Sequence, residues 1–233
     1  MVDRSKPYRI KNTMLAIQSD WMIDKTTLAM IQDAEPDILK FHESEGKSDM
    51  KLPLQEYIKE HVPDVYSVPL FTEDFCDMML DEIKNIENYL GFQENSDEDE
   101  LRQIPEVTLQ DNIPQLSSNL HSVVLNHMNP LFQAVWQRYS LKINSIQLAN
   151  YNLAKREQGE WHHDASADIS VVVPLNTGDY EGGGTEFHGR GVVPPLPRGH
   201  ALFFPSFTHM HRGLKVGKGD RYLLVFWLLG AYD

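Results

Sequence analysis

The chain has 233 residues, of which 41% are hydrophobic and 24% charged, as is typical of a soluble globular protein. Its 34 acidic and 21 basic side chains give a formal net charge of −13, which argues against a nucleic acid as the main partner because phosphates require a basic surface. The single cysteine, Cys76, excludes an intrachain disulfide framework. No apolar run is long enough for a signal peptide or a membrane helix, so we expect a cytoplasmic protein that makes no membrane contact.

Residues 1–60 are polar and weakly periodic, and we predict an N-terminal extension of unknown role. Its best helical segment is 26–34, which we expect to end before Pro36 because a proline removes a helical hydrogen bond. The domain proper is predicted to span 61–233, with helical support over 61–140 and a strand-rich core over 141–233.

The clearest predicted helix begins at Thr72, whose hydroxyl can cap it, and ends at Gly91. Apolar side chains then recur at helical spacing and predict one buried stripe, formed by Phe75, Met79, Ile83, Ile86 and Leu90. Cys76 lies on the same helix and is expected to be a small core residue. A second helical stretch is predicted over 120–139, interrupted near Pro130.

Five acidic side chains lie within residues 94–100. Like charges at this density repel one another and predict a solvated loop. A calcium site is the alternative, but the loop lacks the glycine and the ligand spacing that such a site requires.

From residue 141 onward, β-branched and aromatic runs alternate with glycine and proline clusters. Such a pattern predicts an all-β sandwich or jelly roll. The expected strands are 143–153, 169–175, 184–187, 201–204, 208–212 and 221–229. The last run is almost continuously apolar, which predicts a strand in the middle of a sheet.

His162 and Asp164 are two residues apart, so on an extended segment both side chains lie on one face and His163 on the other. An imidazole and a carboxylate are two of the three ligands of a facial triad for non-haem Fe(II). A second histidine would complete it, and the candidates are His188, His200, His209 and His211. A His-x-Asp triplet arises by chance ~0.8 times in a chain of this composition, so a polar surface turn stays open as the alternative.

Two of the downstream histidines precede an arginine by the same interval. His211 and Arg221 lie at the end and the start of two expected strands joined by a glycine-rich turn, which could direct both into one pocket. His188 and Arg198 are separated by a proline-rich run that cannot form a central strand.

Three stretches, WHHDASADISVVVPLNTGDYEGGGTEF, RGHALFFPSFTHMHRGL and GDRYLLVFWL, resemble the Fe(II)/2-oxoglutarate dioxygenase superfamily. Within it, the HHDAS, DYEGGGTEF and HRGL…DRY segments are most similar to the catalytic domain of the procollagen lysyl hydroxylases, in the prolyl and lysyl hydroxylase branch. The match covers roughly 160–229, and VPLFTEDFCDMML from Val68 resembles the helix that enters such domains. Residues 1–60 carry no part of the resemblance.

The resemblance implies flanking helices around a double-stranded β-helix, a jelly-roll variant. It implies His162, Asp164 and His211 as catalytic iron ligands and Arg221 as the partner of the distal carboxylate of 2-oxoglutarate. Two imidazoles and one carboxylate leave three octahedral positions for 2-oxoglutarate and O2. The expected reaction releases succinate and CO2 and hydroxylates a C–H bond, and it leaves room for ascorbate as a further cofactor.

The chain departs from the superfamily pattern in two places. Many members carry a hydroxyl residue two positions after the arginine, where this chain has Leu223. A tyrosine upstream of the His-x-Asp often contacts 2-oxoglutarate, and Tyr151 and Asn150 are the candidates for that contact here. His209 is the alternative to His211 as third ligand, because the two would share a strand face.

The branch suggests a peptidyl lysine or proline as substrate. The same chemistry on a free amino acid or another small molecule is the alternative, and a catalytically silent jelly-roll binding module is the hypothesis from a different class. The acidic charge tolerates a basic peptide without selecting one. The sequence leaves the oligomeric state open.

Overall fold

The computed structural model describes residues 8–17, 20–43, 53–92, 104–136 and 141–230. The acidic stretch at 94–100 lies outside them, so the loop expected there stays a prediction. Among the described residues, none of the helices combines the length and apolar character needed to cross a membrane. The helices are α1 (Lys25–Glu43), α2 (Pro53–Tyr57), α3 (Glu73–Tyr89), α4 (Leu109–Asn112), α5 (Pro114–Val123) and α6 (Asn129–Trp136).

Helix α3 forms where the sequence predicts it. The Thr72 hydroxyl accepts a hydrogen bond from the Phe75 backbone N–H at 3.2 Å, and Gly91, with φ of 72°, follows the end of the helix. The stripe of Phe75, Met79, Ile83 and Ile86 is buried, and Cys76 is buried beside it. Capping and periodicity therefore agree with tertiary packing along this segment.

Two helical predictions were wrong in their bounds. Helix α1 does not end before Pro36 but continues to Glu43, because one lost backbone hydrogen bond does not prevent a helix from continuing. The predicted 120–139 helix begins earlier, at Pro114, and its predicted interruption near Pro130 is a π-helical turn, Val124–Met128, that directly precedes α6 in one continuous helical run.

The strands are β1 (Lys59–Val62), β2 (Val65–Pro69), β3 (Glu106–Thr108), β4 (Leu141–Asn152), β5 (Ile169–Pro174), β6 (Glu181–Gly182), β7 (Thr185–Phe187), β8 (Gly191–Val193), β9 (His200–Pro205), β10 (His211–Gly213), β11 (Val216–Lys218) and β12 (Asp220–Gly230). Seven of them form an antiparallel major sheet in the order β1-β2-β9-β5-β12-β4-β3. Strand β12 lies between β5 and β4, as its apolar sequence predicts for a strand inside a sheet.

The remaining strands form a minor sheet. Strand β7 pairs with β8 and β10, and β6 pairs with β11. The two sets are joined by hydrogen bonds from the Leu214 N–H to the Gly184 carbonyl and from the Gly183 N–H to the Lys215 carbonyl. Residues 157–162 run along the other side of β10 and β11, where His162 and His211 exchange backbone hydrogen bonds.

The prediction of a mainly helical segment over 61–140 was wrong at its start. Strands β1 and β2 form a hairpin that extends the major sheet beyond β9. The turn of this hairpin contains Pro63 and Asp64, and Asp64 has a positive φ of 63°. Proline followed by aspartate is a recognised turn signal, and here it lies close to the stronger helical pattern that begins at Thr72.

The two sides of the major sheet are packed differently. One side carries the large core, in which Phe203, Leu224 and Phe226 of the sheet meet α3 and α5. Tyr8, Leu15, Met22 and Ile31 belong to the same core, so the described part of the N-terminal extension packs on the helical side. The other side faces the minor sheet across two smaller apolar clusters, and a cavity lies beside them.

Candidate active site

A cavity of about 420 Å³ lies between the two sheets. Alternate residues of two neighbouring strands form its floor, because successive side chains of a strand point to opposite faces. These residues are Gln147, Ala149 and Tyr151 of β4 and Arg221, Leu223, Val225 and Trp227 of β12. His162, Asp164 and His211 close the cavity from the minor-sheet side.

Those three side chains are the one group in the described part of the chain that could hold a metal ion. One candidate ligand atom from each lies within 4.8 Å of the others. The Asp164 carboxylate lies 3.4 Å from His162 Nε2 and 3.6 Å from His211 Nε2. Two imidazoles and one carboxylate at this spacing match the donor set of a facial-triad iron site.

Backbone carbonyls orient both imidazoles. His162 Nδ1 lies 2.7 Å from the Glu160 carbonyl, and His211 Nδ1 lies 2.9 Å from the His209 carbonyl. A carbonyl only accepts hydrogen bonds, so each Nδ1 carries the proton and each Nε2 keeps its lone pair for a metal. Burial lowers the pKa of His211 to about 4, which keeps its ring neutral and able to coordinate.

Two serine hydroxyls hold the carboxylate of Asp164. Ser170 Oγ donates a short hydrogen bond to Asp164 Oδ2, and Ser206 Oγ lies 2.8 Å from Ser170 Oγ. Burial alone would raise the pKa of Asp164, but in the acidic range where this carboxyl titrates imidazoles are protonated, and the hydrogen bond and charges of the two histidines, with the hydrogen bond from Ser170, lower the pKa to about 2. The carboxylate is therefore ionised at neutral pH.

Arg221 lies on the cavity floor, about 4% exposed, and its Nε and Nη1 atoms have no hydrogen-bond partner among the described residues. Its guanidinium carbon lies 5.2 Å from the centre of the Tyr151 ring. A buried cation with unmet donors is unfavourable, so this geometry favours an anionic ligand inside the cavity. Gly183 makes room for the side chain, since a Cβ there would lie 3.3 Å from Arg221 Cδ.

The two candidates for a further 2-oxoglutarate contact lie on opposite faces of β4. Tyr151 faces the cavity, where burial raises the pKa of its hydroxyl, and Gly213 lies so close that a Cβ there would be 2.7 Å from that hydroxyl. Asn150 does not line the cavity. Adjacent strand residues face opposite sides, so the geometry does not favour the predicted cofactor contact of Asn150, which stays a prediction. Leu223 does face the cavity but has no hydroxyl to donate.

The structure separates His209 from His211. Strand β10 begins only at His211, so the predicted strand 208–212 is shorter and the shared face is lost. His209 is buried elsewhere, with Nε2 3.1 Å from the Pro63 carbonyl. The other candidate histidines, His188 and His200, do not line the cavity. Arg198 is also outside it and pairs with Asp77.

Several residues of the site carry no sequence signal. Ser170 and Ser206 belong to runs that predict strands and turns, and nothing in those runs points to Asp164. His163 is exposed at the edge of the cavity and stacks on Phe207, which is 68% exposed. Glu106 and Gln147 also line the cavity. Glu106 belongs to the three-residue strand β3, for which the only sequence signal is the short alternation of polar and apolar residues around Val107.

Comparisons with known proteins agree with this geometry. A family model described as an OGFOD2-like domain matches residues 9–97. The rat procollagen-lysine,2-oxoglutarate 5-dioxygenase 1 is 30% identical over 171 residues, which are 70% of this chain and 23% of that protein. The chain thus spans about a quarter of the length of the curated relatives it matches. The predicted resemblance to this branch is confirmed.

Solved structures show the same fold. A prolyl hydroxylase from Trichoplax adhaerens, in complex with a hypoxia-inducible factor peptide fragment, has a TM-score of 0.60 at 12% identity and covers 91% of this chain and 96% of its own. A prolyl 4-hydroxylase from Phytophthora capsici has a TM-score of 0.54 at 21% identity, and the match covers 72% of this chain and 59% of that one. The chain therefore has the fold of the 2-oxoglutarate- and Fe(II)-dependent oxygenases, and its sequence relatives are procollagen lysyl hydroxylases.

Proposed function

We propose that this chain is an Fe(II)- and 2-oxoglutarate-dependent dioxygenase that hydroxylates a C–H bond and releases succinate and CO2. One observation carries the proposal: a single cavity contains three metal donors and a buried guanidinium whose Nε and Nη1 find no hydrogen-bond partner in the described part of the chain. We also propose that the facing major and minor sheets are the two halves of a double-stranded β-helix, with the metal donors at one mouth.

The residues fit the implied groups. His162, Asp164 and His211 would hold Fe(II) through two neutral nitrogens and one carboxylate oxygen, a set that suits this ion. Arg221 would hold the distal carboxylate of 2-oxoglutarate, since a guanidinium stays charged when buried and can bind a carboxylate through two hydrogen bonds. Tyr151 would add a hydroxyl donor beside it.

When bound, the iron and 2-oxoglutarate supply the redox chemistry, and the protein supplies position and exclusion of water. The Glu160 and His209 carbonyls fix the two imidazoles, and Ser170 fixes the carboxylate, so that all three donors are arranged before any ligand arrives. Arg221 would hold the far end of the oxo acid, and the rest of the cavity would remain for the substrate.

For the substrate we propose a lysyl or prolyl side chain of a peptide. The support is the similarity to procollagen lysine dioxygenases and the fold shared with prolyl hydroxylases, one of which is bound to a peptide. The exposed His163 and Phe207 at the cavity edge offer a surface that a peptide could contact. A free amino acid or another small molecule is the alternative.

A silent binding module is disfavoured by the combination of groups in the site. A module without turnover has no need of three metal donors together with a buried arginine in one cavity.

The proposal is tested by supplying Fe(II), 2-oxoglutarate and O2 to the full chain with peptides that contain lysine or proline. We expect succinate release coupled to a peptide mass gain of one oxygen atom. Succinate without any modified peptide would point to a small-molecule substrate, and no succinate from folded, iron-loaded protein would contradict the proposal. Ascorbate is varied in the same assay. A cytoplasmic location and a domain boundary at residue 60 stay predictions.

A further inference from the structure

The side chain of Tyr151 spans the gap between the two sheets at the Arg221 end of the cavity. It extends from β4 of the major sheet, where Tyr151 pairs with Arg221 of β12, and the end of its ring meets Gly213 of β10 in the minor sheet. Gly213 lies two residues beyond the metal donor His211 and lines the same cavity. The ring therefore forms a wall of the cavity beside the guanidinium.

The lack of a side chain at Gly213 leaves room for this ring. A Cβ on Gly213 would lie 2.7 Å from the Tyr151 hydroxyl oxygen, 2.8 Å from its Cε1 and 2.9 Å from its Cζ. Carbon atoms that are not bonded pack at about 3.5–4.0 Å, so the ring in its present place excludes a methyl group at position 213. Gly159 lies at the same end of the ring, since its Cβ would be 3.5 Å from the hydroxyl.

The backbone at Gly213 does not itself require a glycine. Gly213 lies in a paired strand opposite Thr185, and it is not among the glycines with a positive φ. Extended backbone of this kind accommodates residues with side chains. The three atoms nearest to an added Cβ all belong to Tyr151. The contact with the tyrosine ring is therefore what a side chain at position 213 would disturb.

A displaced ring would change the space beside Arg221. The guanidinium carbon lies 5.2 Å from the ring centre, and Tyr180 and Leu223 belong to the same buried cluster as the ring. Because a protein interior is closely packed, a ring forced away from Gly213 moves toward the open cavity. The cavity beside the guanidinium then becomes shorter.

We infer that Gly213 is a positioning residue for the co-substrate: by admitting the end of the Tyr151 ring, it sets the length of the oxo acid that fits between the metal donors and Arg221. The inference rests on the proposed function and deepens it, since it names the residue that selects a five-carbon dicarboxylate. A wall of fixed position discriminates against a longer ligand by steric exclusion and against a shorter one by lost contacts. Four-carbon oxaloacetate and six-carbon 2-oxoadipate each differ from 2-oxoglutarate by one methylene group and are suitable probes.

The test measures the binding of the three oxo acids to the full chain by calorimetry, under anaerobic conditions with Fe(II) present. We expect Gly213→Ala to weaken 2-oxoglutarate binding at least about tenfold and oxaloacetate binding less than about threefold, since the shortened cavity still admits the smaller acid. Tyr151→Ala removes the wall and should raise the affinity for 2-oxoadipate relative to 2-oxoglutarate at least about fivefold. In the Tyr151→Ala background, adding Gly213→Ala should change 2-oxoglutarate binding by less than about twofold, because no ring is left to displace.

Gly217→Ala is the matched control. Gly217 is an exposed residue of β11, also without a positive φ, and the nearest atom to its added Cβ is the Glu181 carbonyl oxygen at 3.8 Å. This substitution should leave all three affinities within about twofold. Circular dichroism checks that each variant is folded. If Gly213→Ala alone does not fold, the double variant decides the test, because it should fold and bind when the clash with the ring is the cause.

Three results would overturn the inference: an equal loss of all three acids in Gly213→Ala, the full loss of 2-oxoglutarate binding by Gly213→Ala when the ring is already absent, or an unchanged length preference in Tyr151→Ala. Failure of the proposed function is distinguishable from these, because the unmodified chain would then bind none of the three acids.

Discussion

The two faces of β4 and β12 have opposite chemistry although the same strands form both. On one face, Leu148, Leu224 and Phe226 pack into the core beneath the helices. On the other, Gln147, Tyr151 and Arg221 line the cavity. The core face is mostly apolar, with Asn150 of β4 as a buried polar exception, whereas the cavity face carries the buried guanidinium of Arg221, whose Nε and Nη1 have no hydrogen-bond partner among the described residues. Stability is therefore concentrated on one side of the sheet and ligand binding on the other.

This difference shows how a single strand can serve both needs. Side chains alternate along a strand, so a site can be built on every second residue without disturbing the core. Whether a substitution in β12 affects folding or ligand binding should therefore depend on which face of the strand carries the substituted residue. The following substitutions test that separation.

The largest effect is expected for Asp164→Ala. The substitution removes the only carboxylate among the three metal donors, and we expect succinate formation to be abolished. The Ser170 and Ser206 hydroxyls can still bond to each other, so the circular dichroism spectrum should stay unchanged. Retained turnover would mean that another carboxylate binds the metal. Asp111→Ala is the matched control, because it removes an exposed carboxylate on α4 that does not line the cavity and should leave turnover intact.

Arg221→Ala should weaken 2-oxoglutarate binding by at least about 30-fold, or ~2 kcal/mol, because it removes the buried partner of a carboxylate. The iron requirement should change far less, since Arg221 is not among the metal donors. Titrations of each ligand at a saturating concentration of the other separate the two effects. Equal weakening of Fe(II) binding and 2-oxoglutarate binding would contradict the role of Arg221 as the partner of the 2-oxoglutarate carboxylate.

Phe226→Ala tests the core face of the same strand. Phe226 is fully buried, and its truncation should lower the free energy of unfolding by about 3–5 kcal/mol. The affinity of the remaining folded protein for 2-oxoglutarate should stay within about twofold. Denaturant unfolding and ligand titration on one sample measure both quantities. A large loss of affinity with little loss of stability would break the separation of the two faces.

The smallest effects compare two adjacent residues of β4. Tyr151→Phe removes one hydroxyl from the cavity and should weaken 2-oxoglutarate binding about fivefold, the value of roughly 1 kcal/mol for one hydrogen bond. Asn150→Ala, on the opposite face, should leave that affinity within about twofold. The reverse order of effects would show that the face assignment along β4 is wrong.

Local patterns predicted much of the fold. The cap at Thr72 and the stripe behind it predicted α3, and the apolar run from Arg221 predicted an internal strand. The β1–β2 hairpin was missed because its strands are short and its turn signal lies beside a stronger helical pattern. The low helix propensity of proline predicts that α1 ends before Pro36, but the structure shows that the helix continues to Glu43.

The residues of the candidate site were predicted more fully than the residues that hold them in place. The motif order suggested His162, Asp164, His211 and Arg221, which the fold brings to one cavity. Ser170 and Ser206 could not be found, because they reach Asp164 only through the pairing of β5 with β9. The contact between Glu106 and Gln147 could not be predicted for the same reason, since the two residues are 41 positions apart in the chain. Contacts of that kind depend on register, which a single sequence does not reveal.

We propose that two imidazoles and one carboxylate hold ferrous iron while Arg221 holds 2-oxoglutarate. The decisive experiment is an anaerobic titration of the full chain with Fe(II) and 2-oxoglutarate. We expect a visible metal-to-ligand charge-transfer band that needs both additions, that disappears in Asp164→Ala, and that requires more 2-oxoglutarate in Arg221→Ala. Well-folded protein that gives no band at saturating concentrations of both would contradict it.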